Sequence, residues 1–104
     1  MNIEMVQIIE SASEIPTKGV VVIDFFATWC GPCKHIAPKF EELSKMYPHI
    51  SFLKVDVDES GDLVEYYGIR AMPTFVFLHN GSVVKTIEGA DLKGIGETLE
   101  AMTR

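Results

Sequence analysis

The run from Val20 to Ala27 constrains the fold of this chain more than any other stretch. It reads Val-Val-Val-Ile-Asp-Phe-Phe-Ala, apolar throughout apart from Asp24. A near-continuous β-branched and aromatic run suits a central strand buried on both faces, not one that alternates between core and water. Such a strand needs a covering layer on each side, which points to an α/β architecture. The run is too short to span a bilayer, and Asp24 interrupts it. At 104 residues the chain is read as one domain, 1–104, with a single core. The net charge is −6 with no lysine or arginine cluster, so nucleic acid and anionic membranes are not expected partners.

The remaining elements follow from periodicity and punctuation. Met5 to Ile9 reads as a short strand. Ser11-Ala12-Ser13-Glu14 has capping-box spacing for a brief helix that Pro16 limits. Ile36, Ala37, Phe40, Leu43 and Tyr47 recur at helical spacing, giving an amphipathic helix from about Cys33 to Tyr47, with Pro38 inside it expected to bend it. Ile50 to Val57 reads as a second central strand, and Ser60 to Tyr67 as a short helix ended by Gly68. Thr74–Leu78 and Ser82–Ile87 read as strands joined at Asn80-Gly81, a two-residue hairpin signal. Asp91 can cap a last helix with Leu92, Ile95, Leu99 and Met102 on its apolar face. The order is β-α-β-α-β-α-β-β-α. It predicts a mixed sheet of about five strands flanked by about four helices on both faces, with helix crossovers joining parallel neighbours.

Trp29-Cys30-Gly31-Pro32-Cys33 lies between the central run and the amphipathic helix, and holds the only two cysteines and the only tryptophan. Two thiols separated by two residues can close a small ring and open it again, so they carry electrons. The context is strand, turn and helix N-terminus. Unpaired backbone N–H groups and the helix dipole stabilise a thiolate there. Cys30 comes first and is expected to be the exposed nucleophile, with Cys33 about one turn behind it as the resolving thiol. A structural metal site would need four ligands, and no second C-x-x-C or paired histidine motif accompanies this one, so no metal is expected. Asp24 is the one charge in the central strand. Read alone, it is either a buried acid with a raised pKa or a solvated group at the strand edge. Lys54 read alone is an ordinary surface lysine, and Pro73 a trans proline at a strand start.

These residues in order resemble the thioredoxin family. The resemblance is carried by Val22-Ile23-Asp24-Phe25-Phe26-Ala27, Trp29-Cys30-Gly31-Pro32-Cys33, Ile36-Ala37-Pro38 and Lys54-Val55-Asp56-Val57-Asp58. Met72-Pro73-Thr74-Phe75, Asn80-Gly81 and Gly89-Ala90 extend it to the end of the domain. It implies the thioredoxin fold and protein-disulfide reduction. Electrons would come from NADPH through thioredoxin reductase, with no bound cofactor beyond the Cys30–Cys33 disulfide. It also implies that Asp24 is a buried acid partnered by Lys54, that Met72-Pro73 is cis, and that Trp29, Gly31, Pro32, Met72, Pro73, Gly89 and Ala90 form a shallow docking surface. The chain departs from the family at Phe26, where many members carry tryptophan, and at Glu88, where an apolar residue is common. Met1 to Glu4 extend beyond the usual family start.

The reading is therefore a general reductant of disulfide-containing proteins. Its rivals are an oxidising or isomerising member of the same fold, which Gly31-Pro32 argues against, and a binding module with incidental thiols. The N-terminus shows no basic and apolar signal pattern, and no cysteine is left over for a structural disulfide. Both fit a reducing, cytoplasmic compartment.

Overall fold

The computed structural model describes residues 5–104; the Met1–Glu4 extension lies outside the described residues. Five strands form one mixed sheet: β1 (Val6–Ile8), β2 (Val20–Phe26), β3 (Ser51–Asp56), β4 (Thr74–His79) and β5 (Ser82–Glu88), in the order β1-β3-β2-β4-β5. The strand expected to be buried on both faces is the central one. Val21, Val22, Ile23, Asp24 and Phe25 are all fully buried. β2 pairs with β3 in parallel and with β4 antiparallel.

Three α-helices cover the sheet: α1 (Gly31–Met46), α2 (Gly61–Tyr67) and α3 (Leu92–Met102). On one face Ile36 and Phe40 of α1 and Ile95 and Leu99 of α3 pack on Val22, Phe52, Phe75 and Phe77. The Phe40 ring lies 5.1 Å from that of Phe52 and 5.5 Å from that of Phe75. On the other face Leu63, with Val64 and Tyr67, packs on Val21, Ile23, Phe25 and Val55.

Two expectations need correction. The first of the four expected helices is a three-residue 3-10 turn, Ala12–Glu14. The Glu14 carboxylate accepts N–H bonds from Glu10 and Ser11, which closes a tight loop. Ile15 is then extended before Pro16, as a residue preceding proline prefers, so no helix can grow. The second correction concerns topology. α2 does not return the chain to a parallel neighbour, because β4 runs antiparallel to β2. Seven residues of helix rise only about 10 Å, and Gly68 at φ 65° turns the chain at once. The backbone therefore re-enters the sheet at the end where β2 and β3 finish.

α1 continues through Pro38 without a break and begins earlier than expected, at Gly31. The hairpin forms at Asn80-Gly81, with φ of 51° and 87° as a type I′ turn requires. Asn80 also ties the turn to the start of β2: its Oδ1 accepts from the Gly19 N–H at 2.7 Å. In α3, Leu92 is half exposed, so the buried stripe narrows to Ile95 and Leu99. Gly94 has a packing reason. Its N–H donates to the Asp91 carboxylate at 2.9 Å, and a Cβ there would press into that carboxylate.

Phe40 joins α1 to β3 and β4, the two strands that flank β2, so Phe40→Ala should open a cavity at the sheet–helix joint. The expected loss is about 3–5 kcal/mol, read as a fall in the urea midpoint with an unchanged slope.

Candidate active site

β2 ends at Phe26, and a turn through Ala27, Thr28 and Trp29 leads straight into α1. Cys30 is the N-cap of that helix. Its Sγ accepts the Cys33 backbone N–H at 3.2 Å, so a free N–H of the first turn points at sulfur. Gly31 and Pro32 occupy the first two helical positions, where the missing proline N–H leaves nothing unsatisfied. Cys30 and Cys33 form a disulfide, with Cα atoms 5.3 Å apart.

In this oxidised state Cys30 is not exposed, contrary to expectation. It is 6% accessible against 3% for Cys33. Ala27 and Met72 pack on the pair, and each sulfur shields the other. The Cys30 Sγ lies 3.7 Å from the Met72 carbonyl oxygen. An oxidised sulfur has no proton to donate, so this is a contact; in the dithiol the same geometry would accept an S–H.

The antiparallel entry of β4 creates that contact. Met72-Pro73 is cis and buried at Pro73, as the resemblance implied and the lone residue did not. Pro73 in turn accepts the Gly89 N–H at 2.8 Å, which brings the end of β5 alongside. Trp29 is 66% exposed, and its indole N–H donates to Asp58 Oδ2 at 2.9 Å. The fold thus brings Trp29, Cys30, Gly31, Pro32, Met72, Pro73 and Gly89 to one end of the sheet, with Ala90 exposed next to Gly89. Among the described residues no group of three His, Cys, Asp or Glu side chains could hold a metal ion.

The two readings of Asp24 are decided by burial. Asp24 is fully buried, and neither carboxylate oxygen has a hydrogen-bond partner among the described residues. Desolvation pushes its pKa up to about 7, and the positive charge of Lys54 opposes the rise. Asp24 and Lys54 are register partners on β2 and β3, yet no ion pair joins them. The Lys54 ammonium instead sits 4.5 Å from the centroid of the Phe26 ring. A cavity of about 260 Å³ opens beside it, lined by Phe26, Ala27, Cys33, Ala37 and Lys54.

Sequence reasoning missed three participants. Asp58 holds the indole of Trp29; a carboxylate in a loop gives no sign of a partner 29 positions away. Phe26 stood out as a family departure, but not as the seat of Lys54. Arg70 went unremarked, although it pairs with Glu88 through two bonds at 2.8 and 3.3 Å beside the Met72-Pro73 loop. That pairing raises the Arg70 pKa and lowers that of Glu88.

Comparison with known proteins agrees with this geometry. The Thioredoxin family model matches residues 5–101. Thioredoxin 1 of Plasmodium falciparum is 46% identical over 100 residues, covering 92% of this chain and 96% of that protein. A Thioredoxin H-type of Picea mariana is 54% identical over 76 residues, 73% of this chain and 61% of that longer protein. The crystal structure of Malassezia sympodialis thioredoxin superposes with a TM-score of 0.87 at 46% identity, covering 95% of this chain and 91% of the other.

The raised Asp24 pKa makes stability depend on pH with a definite sign. The unfolded carboxyl releases its proton near pH 4, while the folded one keeps it until about pH 7. The native state therefore binds more protons in this window, and stability falls as pH rises through it. The full penalty, on the order of 4 kcal/mol, is present above pH 7 and absent below pH 4. Asp24→Asn should accordingly stabilise the fold by about 2–4 kcal/mol at pH 8 and by little at pH 4. Urea denaturation at the two pH values checks this. Equal effects at both would mean that the carboxyl titrates as if solvated.

Proposed function

The chain belongs to the thioredoxin family, and from that premise we propose that it serves as a general reductant of protein disulfides in the cytoplasm, recharged from NADPH by a thioredoxin reductase. Its reaction is dithiol–disulfide exchange at Cys30 and Cys33. The observation that carries the reading is the Cys30–Cys33 disulfide at the N-terminus of α1, facing the Met72-Pro73 backbone.

Cys30 is the nucleophile in this reading. Once the pair is reduced, the Cys33 N–H and the N-terminal helix dipole favour its thiolate over its thiol. The thiolate attacks one sulfur of a substrate disulfide. A mixed disulfide forms, and the other substrate sulfur leaves as a thiolate that takes a proton from water. Cys33 then attacks the Cys30 sulfur. Its own proton must go elsewhere first, and Asp24 is the acceptor suited to take it, with a pKa near the working pH. The second substrate sulfur departs, leaving the substrate reduced by two electrons and Cys30–Cys33 oxidised. Reductase thiols restore the dithiol by the same exchange in reverse.

The docking surface serves the first step. An extended substrate segment beside its disulfide can pair with the Met72 backbone, as a strand adds to an edge. Trp29 offers an exposed apolar plate held by Asp58, and Gly89 and Ala90 border the other side. The cytoplasmic placement rests on thiol usage: both cysteines serve this site, and none remains for a structural disulfide.

NADPH-coupled reduction of insulin with a thioredoxin reductase tests the whole cycle. Cys30→Ser should abolish turnover. Cys33→Ser should stop after the first step and accumulate covalent mixed disulfides that added dithiol dissolves. A folded Cys33→Ser protein that captures no disulfide substrate would overturn the assignment of roles.

A further inference from the structure

Asp24, Phe26 and Lys54 converge on one face of the sheet. Asp24 and Phe26 are two residues apart on β2 and share that face, and Lys54 is the register partner of Asp24 on β3. Among the described residues the one carboxylate–cation pair is Arg70–Glu88, so no carboxylate holds the Lys54 ammonium. Asp56, next along the same face of β3, turns its Oδ1 to the Asp58 N–H instead. The contact that fixes the ammonium is the Phe26 ring, 4.5 Å from Nζ to centroid. Both side chains border the cavity that reaches Cys33.

We infer that Phe26 is a positioning residue: its ring anchors the Lys54 ammonium at the mouth of the pocket beside Cys33, and so keeps one positive charge close to the buried Asp24 carboxyl. An ammonium on a flexible four-carbon stem is strongly hydrated and moves into water unless something holds it. The negative face of an aromatic ring supplies that hold without neutralising the charge, as an ion pair would. The charge then acts on Asp24, its register partner on the adjacent strand, favouring the carboxylate that accepts a proton. The pocket holds two cations, Lys34 and Lys54, and of these it is Lys54 whose charge opposes the rise at Asp24. α1 contributes Cys33 and the exposed Lys34, β4 places uncharged Phe75 opposite Asp24, and α3 presents Ile95 and Leu99. The consequence for turnover rests on the reading of Asp24 as the proton acceptor; the anchoring does not.

A carboxyl-detected NMR titration of Asp24 in the oxidised protein tests the anchoring without any substrate. Phe26→Leu should raise the Asp24 midpoint by about 0.5–1 unit, because the opposite charge is released to water. Lys54→Met should raise it at least as far, Phe26→Trp should hold it near the parent value, and Phe26→Leu should add nothing once Lys54 is Met. A midpoint unmoved by Phe26→Leu, or moved equally with and without Lys54, would overturn the inference. In the parent protein the Lys54 ε-methylene protons should show an upfield ring-current shift, and its absence would overturn the inference even if Phe26→Leu does not fold. If the midpoints move as expected while the pH profile of turnover stays fixed, the anchoring stands and Asp24 is not the proton acceptor.

Discussion

The complete burial of β2 is the constraint on which the rest of this structure depends. Its residues from Val21 to Phe25 lose all contact with water. That burial is possible because β3 and β4 satisfy its two edges and helices cover its two faces. Each large apolar side chain moved from water into this core contributes about 1.5–3 kcal/mol, enough to fix the register of its neighbours. With β2 fixed, its C-terminal end is fixed as well, and the active site is built there.

Three chain segments meet at that end for different local reasons. The turn after Phe26 starts α1 and makes Cys30 its N-cap. The short α2 and Gly68 send the chain back into the sheet from the same end, which sets Met72 against Cys30. The Gly89 N–H at the end of β5 closes on Pro73. The reversed direction of β4 is thus a functional matter. A parallel crossover would have carried Met72-Pro73 to the far end of the sheet.

The same burial that stabilises β2 shapes the chemistry of Asp24. Desolvation raises its pKa and Lys54 opposes the rise, so the final value reflects a balance between a large unfavourable effect and a smaller favourable one. The carboxyl is destabilising above neutral pH because burial penalises its charged form, and the same burial underlies the proposed role as proton acceptor. Such opposition between stability and reactivity is common where a titratable group serves a reaction.

Local pattern determined a large part of this protein. The near-continuous apolar run fixed a doubly covered central strand, Asn80-Gly81 fixed the hairpin, and Cys30-Gly31-Pro32-Cys33 between a strand and a helix fixed the dithiol chemistry. Each is a short-range signal, read from residues that act on their own backbone or on immediate neighbours. Tertiary structure decided the direction of β4, the burial of Cys30 in the oxidised state, and the choice between a buried and a solvated Asp24. It also decided which side chains Trp29, Lys54 and Glu88 touch: Asp58, Phe26 and Arg70. These depend on contacts between residues far apart in the chain. A long flexible side chain has several partners within reach, and only the assembled fold selects one.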